Sequence, residues 1–232
     1  PKTPRRQRQM CIRDSIHDGH RRYARRENLL SYEVSYRIGM VRFKECLAWC
    51  DELGIDNITS WLLSKENLSR PEDELNSYYL VLNELFEELL IDDLVDNFKI
   101  NFVGSIDLLP DYLQNSIKKL KEVRGGGEKL LTIALGYGGR QEIVDAFNAI
   151  MNKEIKIINE EILKNHLYCP DLPDPDIIIR TGGEYRLSNF LLWQSAYAEI
   201  YICQKNWPDF DENDLEKALE EYENRNRTFG KV

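Results

Sequence analysis

The sequence predicts an α/β fold: a single domain with a mainly parallel central sheet flanked by helices. Three observations carry that reading. Short apolar segments of strand length alternate with longer amphipathic ones, the pattern of strands joined by crossover helices. Glycine, proline and polar residues punctuate the joins. No internal repeat or interdomain linker interrupts the pattern, and 232 residues suffice for one large core.

The elements follow in order. Tyr36 to Leu53 places Ile38, Val41, Cys46, Leu47 and Trp49 at mixed three- and four-residue spacings, as on a half-buried helix, and Gly54 stops it. Ile55 to Leu63 reads as a strand. Pro71 to Ile91 is a long amphipathic helix with proline and acids in its first turn. Phe98 to Val103 alternates like a strand, Pro110 to Val123 returns to helix, and Arg124 to Gly127 makes a turn. Leu130 to Leu135 is a short apolar strand, followed by a Gly138-Gly139 turn and a helix from Gln141 to Met151. Asp176 to Arg180 and Glu199 to Cys203 read as further strands, and Asp211 to Asn224 as a closing helix. Helices between successive strands require a mainly parallel sheet covered on both faces.

Composition narrows the function class. The net charge of -9 argues against bulk nucleic-acid binding, although basic residues crowd the first 26 positions. No apolar run approaches the ~18 residues of a membrane span, and no signal peptide is visible, so a cytoplasmic protein with at most peripheral membrane association is expected. Cys11, Cys46, Cys50, Cys169 and Cys203 are scattered, and no second pair or nearby histidine completes a zinc site around Cys46 and Cys50. Reduced thiols are expected. Pro1 to Ser15 shows neither apolar periodicity nor a targeting pattern; it reads as an adventitious segment or as a basic tail, and the domain is taken as 16–232.

Open parallel sheets gather ligands at the carboxyl ends of their strands. Three polar segments fall at such places. The first is His17-Asp-Gly-His-Arg-Arg-Tyr-Ala24. Gly19 lets backbone amides approach an anion, Arg21 and Arg22 supply charge, and Asp18 could hold a Mg2+ that bridges phosphates. An Asp-Gly turn beside a solvated basic run accounts for the same residues without function. The second, Ser64 to Pro71, puts a serine, an asparagine and an arginine in one loop, although Ser-Arg-Pro-Glu is also an ordinary helix start. The third runs from Asp174 to Gln194, where a strand enters a Gly-Gly loop holding Arg180, Arg186 and Ser188. Two guanidinium forks and a hydroxyl around flexible glycines suit a diphosphate.

Read together, these segments resemble the cis-prenyltransferase family, whose best-known member is undecaprenyl diphosphate synthase. The resemblance runs from Asp18 to Gly230 and includes Gly136-Tyr-Gly-Gly-Arg140, Trp207-Pro-Asp-Phe210 and Arg227-Thr-Phe-Gly230. It implies one α/β domain with an apolar product tunnel, a homodimer, Mg2+ as cofactor, and condensation of isopentenyl diphosphate with an allylic prenyl diphosphate. It further implies that Asp18 is the catalytic aspartate handling the metal. Gly19, His20, Arg21, Arg22 and Tyr23 would cradle the allylic diphosphate. Ser64, Glu66 and Asn67 match residues of the family's mobile loop, with Asn67 the candidate proton acceptor and Arg70 the loop arginine. Arg180, Arg186 and Ser188 match the isopentenyl diphosphate clamp, and Glu199 an acidic residue joining the metal site.

The chain departs from the family pattern at His20, where asparagine is usual, at Tyr36, where histidine is common, and at Leu68, where tryptophan is usual. The strand ahead of Asp18 is expected to be missing or replaced by the basic tail. Leu62 stands where long-chain members keep a small residue, which points to a short product built on geranyl or farnesyl diphosphate. Long-chain synthesis, head-to-middle or cyclising coupling, and a non-catalytic partner subunit remain alternatives. Asp92-Asp-Leu-Val-Asp96 looks like the metal motif of the all-helical trans-prenyl synthases, but the β/α alternation reads it as a solvated helix end. His166 and the tryptophans Trp49, Trp61, Trp193 and Trp207 are assigned to structure.

Overall fold

The computed structural model describes residues 13–123, 126–153 and 155–225. The chain builds β1 (Arg13–Ile16), α1 (His20–Arg26), α2 (Tyr32–Glu52), β2 (Asn57–Ser64), α3 (Glu72–Leu89), β3 (Phe98–Val103) and α4 (Asp111–Val123). It continues through β4 (Lys129–Tyr137), α5 (Gly139–Met151), α6 (Glu160–Lys164), β5 (Ile177–Arg180), β6 (Glu199–Ile202) and α7 (Glu212–Asn224). The strands form one six-stranded sheet in the order β3-β4-β2-β1-β5-β6, with every pairing parallel. The single α/β domain expected from the sequence is present.

Side chains alternate across the strands as the pleat requires. Ile58, Ile100, Leu131, Ile133, Ile177 and Ile179 face a core shared with α2, α3, α4 and α7, where Phe43, Leu47, Leu82, Phe86, Leu113 and Leu215 are buried. Ile16, Trp61, Val103, Ala134 and Ile178 face the other way, against Tyr137, Phe190 and Leu191. Beyond them, α5 and α6 pack through Ala146, Ile150 and Leu163. At ~25 cal/mol per Å2 of apolar surface, these two faces supply the main drive for folding. Asp211 caps α7 by accepting from the Asp214 amide at 3.0 Å, while Asp214 returns the bond to the Asp211 amide at 3.0 Å.

One sequence expectation is corrected here. A strand does stand ahead of Asp18: Arg13–Ile16 pairs with β2 on one side and β5 on the other, and Asp14, Ser15 and Ile16 are buried. The polar letters of Asp14 and Ser15 conceal it from any reading based on apolar pattern. Residues 1–12, with Cys11, lie outside the described residues, as do Arg124 of the Gly-rich turn and the closing Arg227 to Gly230. The four described cysteines form no disulfide with one another. The Asp92 segment is a short turn after α3 in which Asp92 accepts from the Leu94 amide at 3.1 Å, a capping role. No described helix is long and apolar enough to cross a membrane.

Candidate active site

Strands β2, β1 and β5 are neighbours, and each releases one of the three polar segments at its carboxyl end. Parallel pairing thereby brings together residues far apart in sequence. They surround a cavity of about 400 Å3 lined by Asp18, Gly19, His20, Arg21, Arg22, Asn67, Arg70 and Arg186, with Leu62 at its apolar end.

Asp18 follows β1 directly. Its Oδ2 accepts from Arg180 Nη2 at 2.8 Å, and its Oδ1 lies 3.4 Å from Arg22 Nη2 and accepts from the Gly19 amide at 2.6 Å. The backbone of Asp18 is braced from two directions. Its amide donates to Thr181 Oγ1 at 3.0 Å, and its carbonyl accepts from Thr181 Oγ1 at 2.9 Å and from the Trp207 amide at 2.9 Å. Gly19 then turns the chain with φ +106°, and a Cβ there would collide with the Asn206 side chain, so only glycine fits. Trp207 also stacks on His17 at 3.5 Å and donates its indole N–H to the Gly39 carbonyl at 2.8 Å. Trp207, assigned to structure from the sequence, thus braces the loop that carries Asp18.

His20 opens α1 and packs on Gly39, where a Cβ would strike the imidazole. Burial pushes its pKa down to about 4, and its Nδ1 meets the Ser35 carbonyl at 3.2 Å. Because a carbonyl only accepts, Nδ1 carries the hydrogen of this neutral ring. Arg21 is fixed by Glu74 and lies with its guanidinium 5.6 Å from the Tyr32 ring centre. Arg22 donates to the Gly182 carbonyl at 2.6 Å and pairs with Glu184 at 2.9 Å. Tyr23 lies under the Arg26 guanidinium at 5.0 Å instead of lining the cavity.

In the second segment Ser64 Oγ accepts from the Asn67 amide at 3.1 Å, a turn cap that shapes the loop. Asn67 and Arg70 line the cavity, while Glu66 accepts from Asn189 Nδ2 at 2.8 Å and so ties this loop to the Gly-Gly loop. In the third segment Arg180 is 4% exposed and donates to Asp18, to Ser188 Oγ at 2.8 Å and to the Arg186 carbonyl. Arg186 is largely exposed and pairs with Glu184 at 2.6 Å. Ser188, Asn189 and Leu191 hold left-handed backbone (φ 50°, 73° and 41°), and strain of this kind persists where the surrounding structure holds it, often beside a ligand. Asn189 accounts for that hold, because its carbonyl and side-chain oxygen accept from the Gly139 and Arg140 amides at 2.7 and 2.8 Å.

Glu199 stands apart from the other candidate site residues within one chain. It begins β6 opposite Ile177 at the amino end of β5, whereas Arg180, the partner of Asp18, ends β5. There Glu199 accepts from Arg225 Nη1 at 2.6 Å. Strand register thus separates Glu199 from Asp18 by the length of the sheet within one chain. Among the described residues no group of three or more His, Cys, Asp or Glu could hold a metal. One carboxylate beside several arginines fits a Mg2+ that takes most of its ligands from a diphosphate and water.

A family model described as "Putative undecaprenyl diphosphate synthase" matches residues 16–230. The chain belongs to this family of cis-prenyltransferases. It is 42% identical over 224 residues to a tritrans,polycis-undecaprenyl-diphosphate synthase (geranylgeranyl-diphosphate specific) of Picrophilus torridus, covering 93% of this chain and 88% of that one. It is 41% identical over 218 residues to an isoprenyl transferase of Rickettsia typhi, covering 93% and 96%. Among solved structures, lavandulyl diphosphate synthase from Lavandula x intermedia in complex with dimethylallyl diphosphate superposes with a TM-score of 0.86 at 30% identity, covering 96% and 98%. The cis-prenyltransferase fold and membership expected from the three loops are therefore established.

Thr181, Glu184 and Glu74 are not among the residues that the sequence singles out, and Tyr36 stands out there only as a departure from the family pattern. Glu74 carried a signal, since it stands four residues after Arg70 at the start of a helix. Thr181 and Glu184 adjoin residues that were singled out, but only the folded loop shows what they touch.

Proposed function

We propose that this cis-prenyltransferase condenses isopentenyl diphosphate with an allylic diphosphate, in a magnesium-dependent reaction, to give a short Z-prenyl diphosphate. The observation that carries the reading is the shared cavity: Asp18, two cradle arginines, Asn67, Arg70 and Arg186 face one space. The Arg21 and Arg22 guanidiniums hold the leaving diphosphate, and Arg186, with Arg180 and Ser188 behind it, holds the second one. Mg2+ carried by Asp18 would neutralise charge growing on the leaving group. Asn67 is the candidate acceptor of the proton released as the new double bond forms. Preorganised contacts of this kind each lower the barrier by ~3 kcal/mol.

Product length follows from the apolar end. Leu62 is 8% exposed there, and the Tyr78 hydroxyl donates to its carbonyl at 2.5 Å. A growing chain leaving the cavity meets this leucine before it enters the apolar tunnel that the family resemblance implies beside β2. A specific observation favours a second reading, a long-chain synthase primed by geranylgeranyl diphosphate, because three relatives 39–42% identical carry that name.

Incubation with radioactive isopentenyl diphosphate and geranyl, farnesyl or geranylgeranyl diphosphate, followed by chromatography of the dephosphorylated products, tests both. One addition to geranyl diphosphate supports the short product, and chains of ten or more units support the second reading. A branched or cyclic product would reveal irregular coupling, and no incorporation with any primer would leave a partner subunit. The same preparation should be a homodimer located in the cytoplasm of its cell; a monomer by light scattering at micromolar concentration contradicts the assembly.

A further inference from the structure

Glu74, in the first turn of α3, is the meeting point of three segments that face the cavity. Arg21, from α1, donates to its Oε1 from Nε and Nη2 at 3.0 and 2.8 Å, and to its Oε2 from Nη2 at 2.6 Å. The Tyr36 hydroxyl, from α2, donates to Oε1 at 2.6 Å. Arg70 Nη1, from the loop before α3, lies 3.4 Å from Oε1 and 3.5 Å from the Tyr36 hydroxyl. Burial alone would raise the Glu74 carboxyl pKa, but the bonds from Tyr36 and Arg21 hold it below the usual range, so the group stays charged.

The placement of this carboxylate is informative. Arg21, Arg70 and Tyr36 line the catalytic cavity, whereas Glu74 lines a neighbouring one of about 710 Å3. It therefore stands behind its partners. A guanidinium held along its Nε–Nη2 edge keeps Nη1 for another ligand and cannot rotate away. We propose that Glu74 is a positioning residue that binds Arg21 and Arg70 into one unit, so that the α1 cradle and the loop before α3 reach their diphosphate-binding geometry together. The proposal rests on the diphosphate chemistry assigned to the cavity. An ion pair serving only the fold would leave diphosphate binding unchanged; this carboxylate joins three elements at the wall of the site.

Glu74→Gln keeps shape and an acceptor for Tyr36 but removes the charge. Binding of inorganic diphosphate, measured by titration calorimetry, should weaken about tenfold, and the KM values of both substrates should rise together with little change in kcat. Thermal stability should shift by only a few degrees. On an Arg21→Lys background, Glu74→Gln should add little, because the two act as one unit. Should Glu74→Gln fail to fold, Glu74→Asp, charged but shorter, should fold and weaken diphosphate binding in the same direction. Unchanged diphosphate affinity and KM values in a folded variant overturn the proposal, even with a wild type fully active on prenyl substrates. A wild type inactive on those substrates, but with diphosphate affinity that depends on Glu74, overturns the substrate reading and supports the positioning role.

Discussion

Asp18 and Arg180, 162 residues apart in sequence, form a 2.8 Å ion pair across the carboxyl ends of neighbouring strands β1 and β5. Arg180 is buried and Asp18 faces the cavity, so the pair joins the interior of the sheet to the space where diphosphate would sit. Its arginine is held in place by Ser188 and the Arg186 carbonyl, which leaves the aspartate as the member free to engage a ligand.

Replacing Asp18 with alanine should therefore reduce turnover by orders of magnitude while the fold survives, because Arg180 retains its other acceptors. The loss should appear in kcat at saturating Mg2+ and both substrates. Near-normal turnover in a folded, purified variant would sink the assignment.

The two clamp arginines should respond differently to lysine. Arg186 is exposed, so Arg186→Lys keeps charge, loses the fork and should raise the KM for isopentenyl diphosphate several-fold at nearly unchanged thermal stability. Arg180 is buried, so Arg180→Lys loses its hydrogen bonds to Asp18, Ser188 and the Arg186 carbonyl and should also lower stability by ~1–3 kcal/mol. If only primer kinetics respond to Arg186→Lys, the two diphosphate sites have been assigned the wrong way round.

Leu62→Ala should lengthen the product. The exchange removes three heavy atoms from the wall at the apolar end of the cavity, and packed interiors do not otherwise yield that volume. Product chromatography should show a shift from one addition to several. An unchanged product distribution would place length control elsewhere along α2 and α3.

Asp14 sits in the middle of β1 with no solvent exposure, and burial pushes its carboxyl up to about 7, with Thr59, its neighbour across the sheet, opposing that rise. The folded state thus holds this proton to higher pH than the unfolded chain does. Stability from the group is complete below about pH 4 and is lost as pH rises through 7. A tenfold difference in proton affinity is worth about 1.4 kcal/mol, so the loss reaches at most roughly 4 kcal/mol. Melting temperature should fall between pH 5 and 8, and Asp14→Val should raise it at pH 8 and flatten the slope. A wild type whose melting temperature does not change across that range refutes this burial effect.

What the sequence determined by itself was local. Apolar periodicity and turn residues placed the strands from Phe98, Leu130 and Asp176 and the helices from Pro71, Gln141 and Asp211 within a few residues of their observed bounds, because those signals act over one or two turns of chain. The three loops were legible when read together as family motifs, although the first two alone also read as an ordinary turn and an ordinary helix start. Tertiary structure alone decided which residues meet. Parallel register set Arg180 beside Asp18 and carried Glu199 to the opposite end of the sheet. The crossing of α1, α2 and α3 gathered Arg21, Tyr36 and Glu74. Burial between β2 and β5 made a strand of Asp14 and Ser15, which no apolar pattern announced. Such contacts depend on how distant segments pack, and the spacing of residues along the chain does not encode them.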